Sequence, residues 1–479
     1  MRADSDVRLT KITVCGNDRT SLSFFDAELK DINTKDCTLQ ELAQSFAKKT
    51  NKLLSMDMFE AVDTNIEIGQ PKHGKFDATV RINVKEKGIP FLKVASYVKA
   101  GATAEVGCEL QSALRNPIGY GEVFKLSTVT TQSGAKEFMT SFNIPNVGPQ
   151  KFDLNITAKS AMENMSYYTS FKQQIDSVSM EVNSQDRKHQ IVAEYALRDE
   201  MPVSSASSTQ NTATTATITT NTAMASLKTS LKYLWTALDT RDCSMNPSTG
   251  SYLQGSVEVA TPPGSAQFLR TEITAQHHRT LGPSYMGQPG LVASVCGSLG
   301  VLRPILSAAV AAEQSEEEGV DMLRHGIVHL CDRYHLGGPN SLRGFGMCGT
   351  GPRAYRPATA SGDLSSLSLP LKLTDSLGGD LRTTLLATLS VPVPVPMLAK
   401  SQMRAFAFFN AGMISCLSDI HMNGMYAAGL GALRASVGGG FSVAAAGAVR
   451  LEATYSVPLL AASQDQTKGF QIGIGVTMN

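Results

Sequence analysis

Leu336-Gly-Gly-Pro-Asn-Ser-Leu-Arg343-Gly-Phe-Gly346 is a glycine-rich turn that carries one arginine and one aromatic residue. It sits late in the chain, inside a segment without strand pattern that runs from about 303 to 379. Connections of that length are either functional or disordered. Alternating segments flank it on both sides, so it is predicted to fold back into the lumen of a barrel.

Working outward, the flanking segments repeat with a period of two. Phe470, Ile472, Ile474, Val476 and Met478 share one face of the last segment, and Gln471, Gly473, Gly475 and Thr477 share the other. Val449, Leu451, Ala453, Tyr455 and Val457 oppose Arg450, Glu452, Thr454 and Ser456. Leu269, Thr271, Ile273 and Ala275 oppose Arg270, Glu272, Thr274 and Gln276. One apolar and one polar face over roughly ten residues is the pattern of a membrane barrel strand. A soluble antiparallel sheet alternates in the same way. The arginines and acids on the polar faces favour the barrel, because a sandwich core could not bury them cheaply, whereas a polar lumen can hold them.

Sixteen such segments are predicted, near 103–115, 121–131, 136–144, 151–160, 169–183, 188–199, 212–222, 226–239, 251–260, 267–278, 291–302, 380–393, 403–413, 430–445, 448–458 and 469–478. The seventh lies in a tract of Ser, Thr, Ala and Asn that reads equally well as a linker; threonine favours strands, and without it the count is odd. Val391 to Pro396 alternates with proline and marks a strand end.

Residues 1–90 read as a separate small α+β unit, joined by a linker at 91–102 to a barrel domain at 103–479. Val7 to Val14 is strand-like, and Leu22, Phe25, Leu29 and Ile32 recur at helical spacing. Thr38-Leu-Gln-Glu41 is a capping box ahead of the apolar stripe Leu39, Leu42, Ala43, Phe46 and Leu53. Phe59 to Ile68 and Phe76 to Val84 complete a β-α-α-β-β order.

Composition narrows the function. A formal net charge of +1 over 479 residues leaves no surplus to drive counterion release from nucleic acid. The first residues contain no apolar core of a Sec signal, and no apolar run is long enough for a spanning helix. A chain of this kind crosses a bilayer only as a closed barrel. Eight scattered cysteines without a CxxC pair fit synthesis in a reducing compartment.

The string Leu336, Gly337, Gly338, Pro339, Leu342, Arg343, Gly344 and Phe345 resembles the conserved loop of the BamA-like outer-membrane assembly superfamily. The N-terminal unit is similar to the POTRA domain that precedes such barrels. The last segment, with Gln471, Gly473, Val476 and Met478, resembles the signal strand of mitochondrial outer-membrane barrels. Asp239-Thr-Arg-Asp242 with Asn246-Pro247 and Gly250 is similar to a strand-to-turn motif of the superfamily. Within the superfamily, the chain looks most like the core barrel of the mitochondrial sorting and assembly machinery (SAM).

The resemblance implies a mainly β fold: one POTRA-like domain and a sixteen-stranded antiparallel transmembrane barrel. It implies that Arg343 binds the inner wall, with Gly344 and Phe345 shaping the tip. Family partners of this arginine are usually acidic, but Asn410 stands where an aspartate is common and Thr388 where an acid can occur. Asp380, Asn410 and Glu452 are therefore the candidate loop partners. The implied function is insertion of β-barrel precursors into the mitochondrial outer membrane, with the POTRA-like domain in the intermembrane space. The implied partners are precursor proteins, the lipid bilayer and accessory SAM subunits on the cytosolic side. A polypeptide-translocating or solute-conducting channel is the alternative.

Barrel closure requires the first segment, 103–115, to pair with the last. Gly107 in the first, and Gly473 and Gly475 in the last, weaken side-chain packing there. An open seam exposes unpaired backbone, to which a precursor strand can add by β-augmentation. Gly107, Glu109 and Gln111 are the expected gate residues on the first strand. His325, His329, Cys331 and His335 lie within eleven residues and have ligand chemistry, but they lead into a loop that carries no metal in the family. No catalytic arrangement and no cofactor or metal site is expected.

Overall fold

The computed structural model describes the chain apart from residues 1–5, 31, 33–36, 57, 73–74, 89, 101–103, 132–133, 149–150, 166–168, 170, 203–225, 285–286, 306–327, 356–373, 394–402, 418–430, 446–448 and 477–479. Its N-terminal unit comprises β1 (Asp6–Cys15), α1 (Leu22–Leu29), β2 (Cys37–Thr38), α2 (Leu39–Ser55), β3 (Phe59–Lys72) and β4 (Lys75–Glu86). The sheet order is β2-β1-β4-β3, with β1 and β4 parallel. The capping box forms as the sequence predicts: Glu41 donates its N–H to the Thr38 hydroxyl, and Thr38 donates its own to the Glu41 carboxylate. Phe24, Phe25, Leu42, Phe46, Leu53, Phe59, Val80 and Ile82 form the core. The expected β-α-α-β-β order is present, with a two-residue strand added.

The barrel follows as β5 (Pro90–Ala100), β6 (Ala104–Arg115), β7 (Val123–Thr131), β8 (Lys136–Val147), β9 (Phe152–Asn164), β10 (Phe171–Asn183), β11 (His189–Pro202) and β12 (Ser226–Asp239). It continues with β13 (Gly250–Ala260), β14 (Phe268–Thr280) and β15 (Val292–Pro304). The lumen loop carries the short ribbon β16 (Arg353–Tyr355) and β17 (Thr374–Ser376). The last strands are β18 (Leu381–Pro392), β19 (Arg404–Ser415), β20 (Leu433–Ala445), β21 (Val449–Leu460) and β22 (Phe470–Val476). Sixteen antiparallel strands form one sheet that runs from β5 to β22.

One sequence expectation changes here. Residues 91–102 are not a linker, since Pro90–Ala100 is the first barrel strand and pairs along its length with Ala104–Arg115. Residues 212–222, expected as the seventh strand, lie outside the described residues. β11 pairs directly with β12.

Alternation sorts the two faces. Val178, Met180, Tyr195, Leu231, Ile273, Val295, Leu299, Leu385, Leu389, Leu451, Tyr455 and Val457 point outward and are exposed. Their neighbours Arg198, Glu258, His278, Asn410, Ser436, Glu452 and Thr454 point inward and are buried. An apolar exterior and a polar interior suit a bilayer-spanning barrel.

The N-terminal unit is fastened to the barrel by short turns. Ser21 donates its N–H to Gly119 O (2.8 Å), and the Asn116 amide donates to the Thr20 hydroxyl (2.7 Å). Asn146, near the end of β8 on this side, donates to the buried Glu28 (2.9 Å). Burial alone would raise the Glu86 carboxyl, but hydrogen bonds from Thr20 and Arg19 outweigh it and hold the group below its ordinary range. Because the strands are antiparallel, the lumen loop leaves the barrel at the end opposite the N-terminal unit.

Candidate functional site

The loop between the eleventh and twelfth strands packs inside the barrel, as its sequence predicts. Tyr334, Leu336, Leu342 and Phe345 are almost fully buried against Ala260, Phe268, Leu302 and Ile414 of the wall. An apolar core within a polar lumen holds the loop by hydrophobic burial as well as by charge. The Tyr334 hydroxyl donates to Thr271 O (3.0 Å), and its ring lies between the Arg270 and Arg382 guanidiniums. At its entry, Asp332 forms a two-pronged pair with Arg198 of β11, both contacts 3.0 Å. His335, once a metal candidate, bonds to Ser376 Oγ and Leu330 O; His325 lies outside the described residues.

The tip reaches β19 to β22. Arg343 Nη2 donates to Glu452 Oε2 at 2.6 Å, and its guanidinium lies over the rings of Phe408 and Phe406, at 5.1 and 5.6 Å. Glu452 also receives Arg450 at 2.7 Å. The Asn410 amide oxygen accepts the Arg343 N–H at 2.6 Å, its nitrogen donates to Ser436 O, and the Ser436 hydroxyl donates to Arg343 O. Asn410 thus serves the loop backbone, and the acid that pairs with the guanidinium is Glu452. Asp380 is not that partner: it stands just before β18, where its backbone bridges Leu302 and Ser415.

The last strand takes part directly, and the sequence pattern missed this. Gln471 accepts the Gly344 N–H at 2.9 Å and donates to Phe345 O at 2.6 Å. Gly344 has a φ of +89°, where a side chain is disfavoured, and a Cβ there would lie 3.0 Å from Ser436. Gly473 faces the loop too, since a Cβ on it would approach Pro339 and Asn340 at 3.2 and 3.1 Å. The turn between β21 and β22 adds backbone bonds from Gly346 to Gln466 O (2.7 Å) and from Lys468 to Gly344 O (2.9 Å). Of the expected signal residues, Gln471 and Gly473 therefore hold the loop and Val476 pairs with Val449. Met478 lies outside the described residues.

A Gln471→Ala substitution would leave the Gly344 N–H buried without a partner and the Phe345 C=O with the Gly338 N–H alone. At about 1–3 kcal/mol for the orphaned donor, the barrel should unfold at a lower temperature. The band shift of unheated against heated protein on gels checks this, and an unchanged transition would mean that Gln471 does not hold the loop.

β5 and β22 are the two ends of the sheet. Their Cα atoms approach within 8 Å, yet among the described residues no ladder joins them. Gly107, Glu109 and Gln111, expected on the gate strand, belong to β6, the second strand, with β5 on one side and β7 on the other. Pro90–Ala100 is the edge.

The model of the Omp85 superfamily domain matches residues 116–478. The chain belongs to the Omp85 superfamily. A SAM50-like protein of Schizosaccharomyces pombe is 27% identical over 480 residues, covering 98% of this chain and 90% of that protein. The sorting assembly machinery 50 kDa subunit of Saccharomyces cerevisiae is 26% identical over 250 residues, covering 50% of this chain and 41% of that one. Among solved structures, BamA from Haemophilus ducreyi lacking POTRA domains 1–3 superposes with a TM-score of 0.70 at 16% identity, covering 98% and 84% of the two chains. CdiB from Escherichia coli superposes at 0.54, with 12% identity over 98% of this chain and 76% of that one.

Proposed function

We propose that this Omp85 protein inserts β-barrel precursors into the mitochondrial outer membrane through the seam between β5 and β22. The junction, which among the described residues has no ladder, carries this reading. Every other neighbouring pair in the sheet is joined by a register of hydrogen bonds, whereas β22 is held by β21 and by the loop. A separated edge offers backbone donors and acceptors to a precursor strand, and strand addition supplies the binding energy. The step exchanges strand pairings and breaks no covalent bond.

In this arrangement the POTRA-like domain faces the intermembrane space and the long loop enters from the cytosolic side, where accessory SAM subunits bind. The SAM50 relatives support the membrane and the substrate class. The channel alternative is disfavoured by a lumen occupied by the loop from β11 to β22. Depletion of the protein followed by import of a radiolabelled barrel precursor tests the reading. Assembly of the precursor should fall; normal assembly with impaired solute or polypeptide passage would favour the channel.

A further inference from the structure

A second segment crosses the lumen, from the side of the N-terminal unit. The turn at 240–249 joins β12 and β13, yet the Met245 carbonyl accepts a hydrogen bond from Arg450 Nη1 of β21 at 3.4 Å. In sheet order β13 and β21 are six strands apart, so the turn must lie across the lumen to make this contact. Met245 and Ser248 are accordingly buried. The inward bend is built into the turn: the Asp242 carboxylate accepts the N–H groups of Ser248 (2.8 Å) and Thr249 (3.2 Å) and the Ser248 hydroxyl. The Thr280 hydroxyl donates to Ser248 O at 3.0 Å, and Arg241 reaches Gln276 of β14.

We propose that Arg450 bolts this turn to the loop tip, so that two segments entering from opposite ends close the lumen together. Arg450 gives Nη2 to Glu452 Oε1 and Nη1 to the turn, while Glu452 Oε2 holds Arg343 of the loop. Turn, strand and loop are thereby joined through one carboxylate. Arg450 is a positioning residue, and the closure it maintains would let a seam open sideways without a leak through the barrel.

Cys296 reports on the closure. It lies on the lumen face of β15, in register with Gln276, the residue that Arg241 reaches, whereas Cys15 and Cys243 are exposed. The full-length protein in liposomes is treated with a charged thiol reagent, and modification is read at each cysteine by mass spectrometry beside bilayer conductance. Arg450→Ala should raise the Cys296 rate about tenfold, the scale expected from losing a charged hydrogen bond, and increase conductance, while Cys15 stays unchanged. Arg450→Lys keeps a charge for Glu452 but cannot span to Met245, so it should raise the Cys296 rate as well. Asp242→Ala frees the turn without altering the wall and should act in the same direction even if Arg450→Ala fails to fold. Unchanged Cys296 labelling and conductance in folded Asp242→Ala and Arg450→Lys proteins would overturn the proposal.

Discussion

Glu452→Ala should destabilise the barrel more than Arg343→Ala, although Arg343 belongs to the loop motif. Glu452 is the shared acid of two arginines, with Arg343 at 2.6 Å and Arg450 at 2.7 Å. Removing one partner of a buried ion pair costs about 3–5 kcal/mol, because the remaining charge is left uncompensated. Loss of Glu452 leaves two guanidiniums facing each other, whereas loss of Arg343 leaves Glu452 still paired with Arg450. Arg343→Ala also gives up the contacts with Phe406 and Phe408, which contribute about 1 kcal/mol. The expected order of stability in detergent is wild type, then Arg343→Ala, then Glu452→Ala, and precursor assembly should follow it. Unfolding midpoints by gel shift give this order, and a more stable Glu452→Ala protein would rule out the shared acid.

Locking the seam should abolish precursor assembly while leaving the barrel more heat-resistant. Pairs of cysteines placed along Pro90–Ala100 and Phe470–Val476 bring the two sheet ends under covalent control. A disulfide needs Cα atoms about 4.4–6.8 Å apart, and the strands approach within 8 Å, so a scan of pairs should find bridging positions. Oxidised protein should assemble no precursor, and reductant should restore activity. Equal activity before and after reduction would show that the seam need not open.

Much of this was legible in the chain because strand alternation is local. The faces of β14, β21 and β22 follow from residues two apart, and the same alternation places Glu452 on the lumen side of β21. Pro90–Ala100 was obscured because its sequence, Pro-Phe-Leu-Lys-Val-Ala-Ser-Tyr-Val-Lys-Ala, sets apolar residues next to one another, which erases the period of two. The sheet of sixteen strands includes Pro90–Ala100, which the pattern of alternation left out. The error shifted the gate by one strand and moved Gly107, Glu109 and Gln111 off the edge.

The choice between Asp380 and Glu452 required geometry, as did the part played by Gln471. Its lumen-facing position was readable from Phe470 and Ile472 on either side, but its bonds to Gly344 and Phe345 join segments far apart in sequence. The same holds for Arg450 and Met245. Contacts across a barrel lumen leave no periodic trace.

The most direct measurement is crosslinking of an arriving precursor to single cysteines in this protein. The precursor carries a cysteine in its final strand and is halted during import. Passage through the seam predicts adducts with positions along Pro90–Ala100 and Phe470–Val476, in a residue-by-residue register. Adducts confined to lumen-facing positions such as Ser294 and Ser298 of β15, with none at either sheet end, would contradict it.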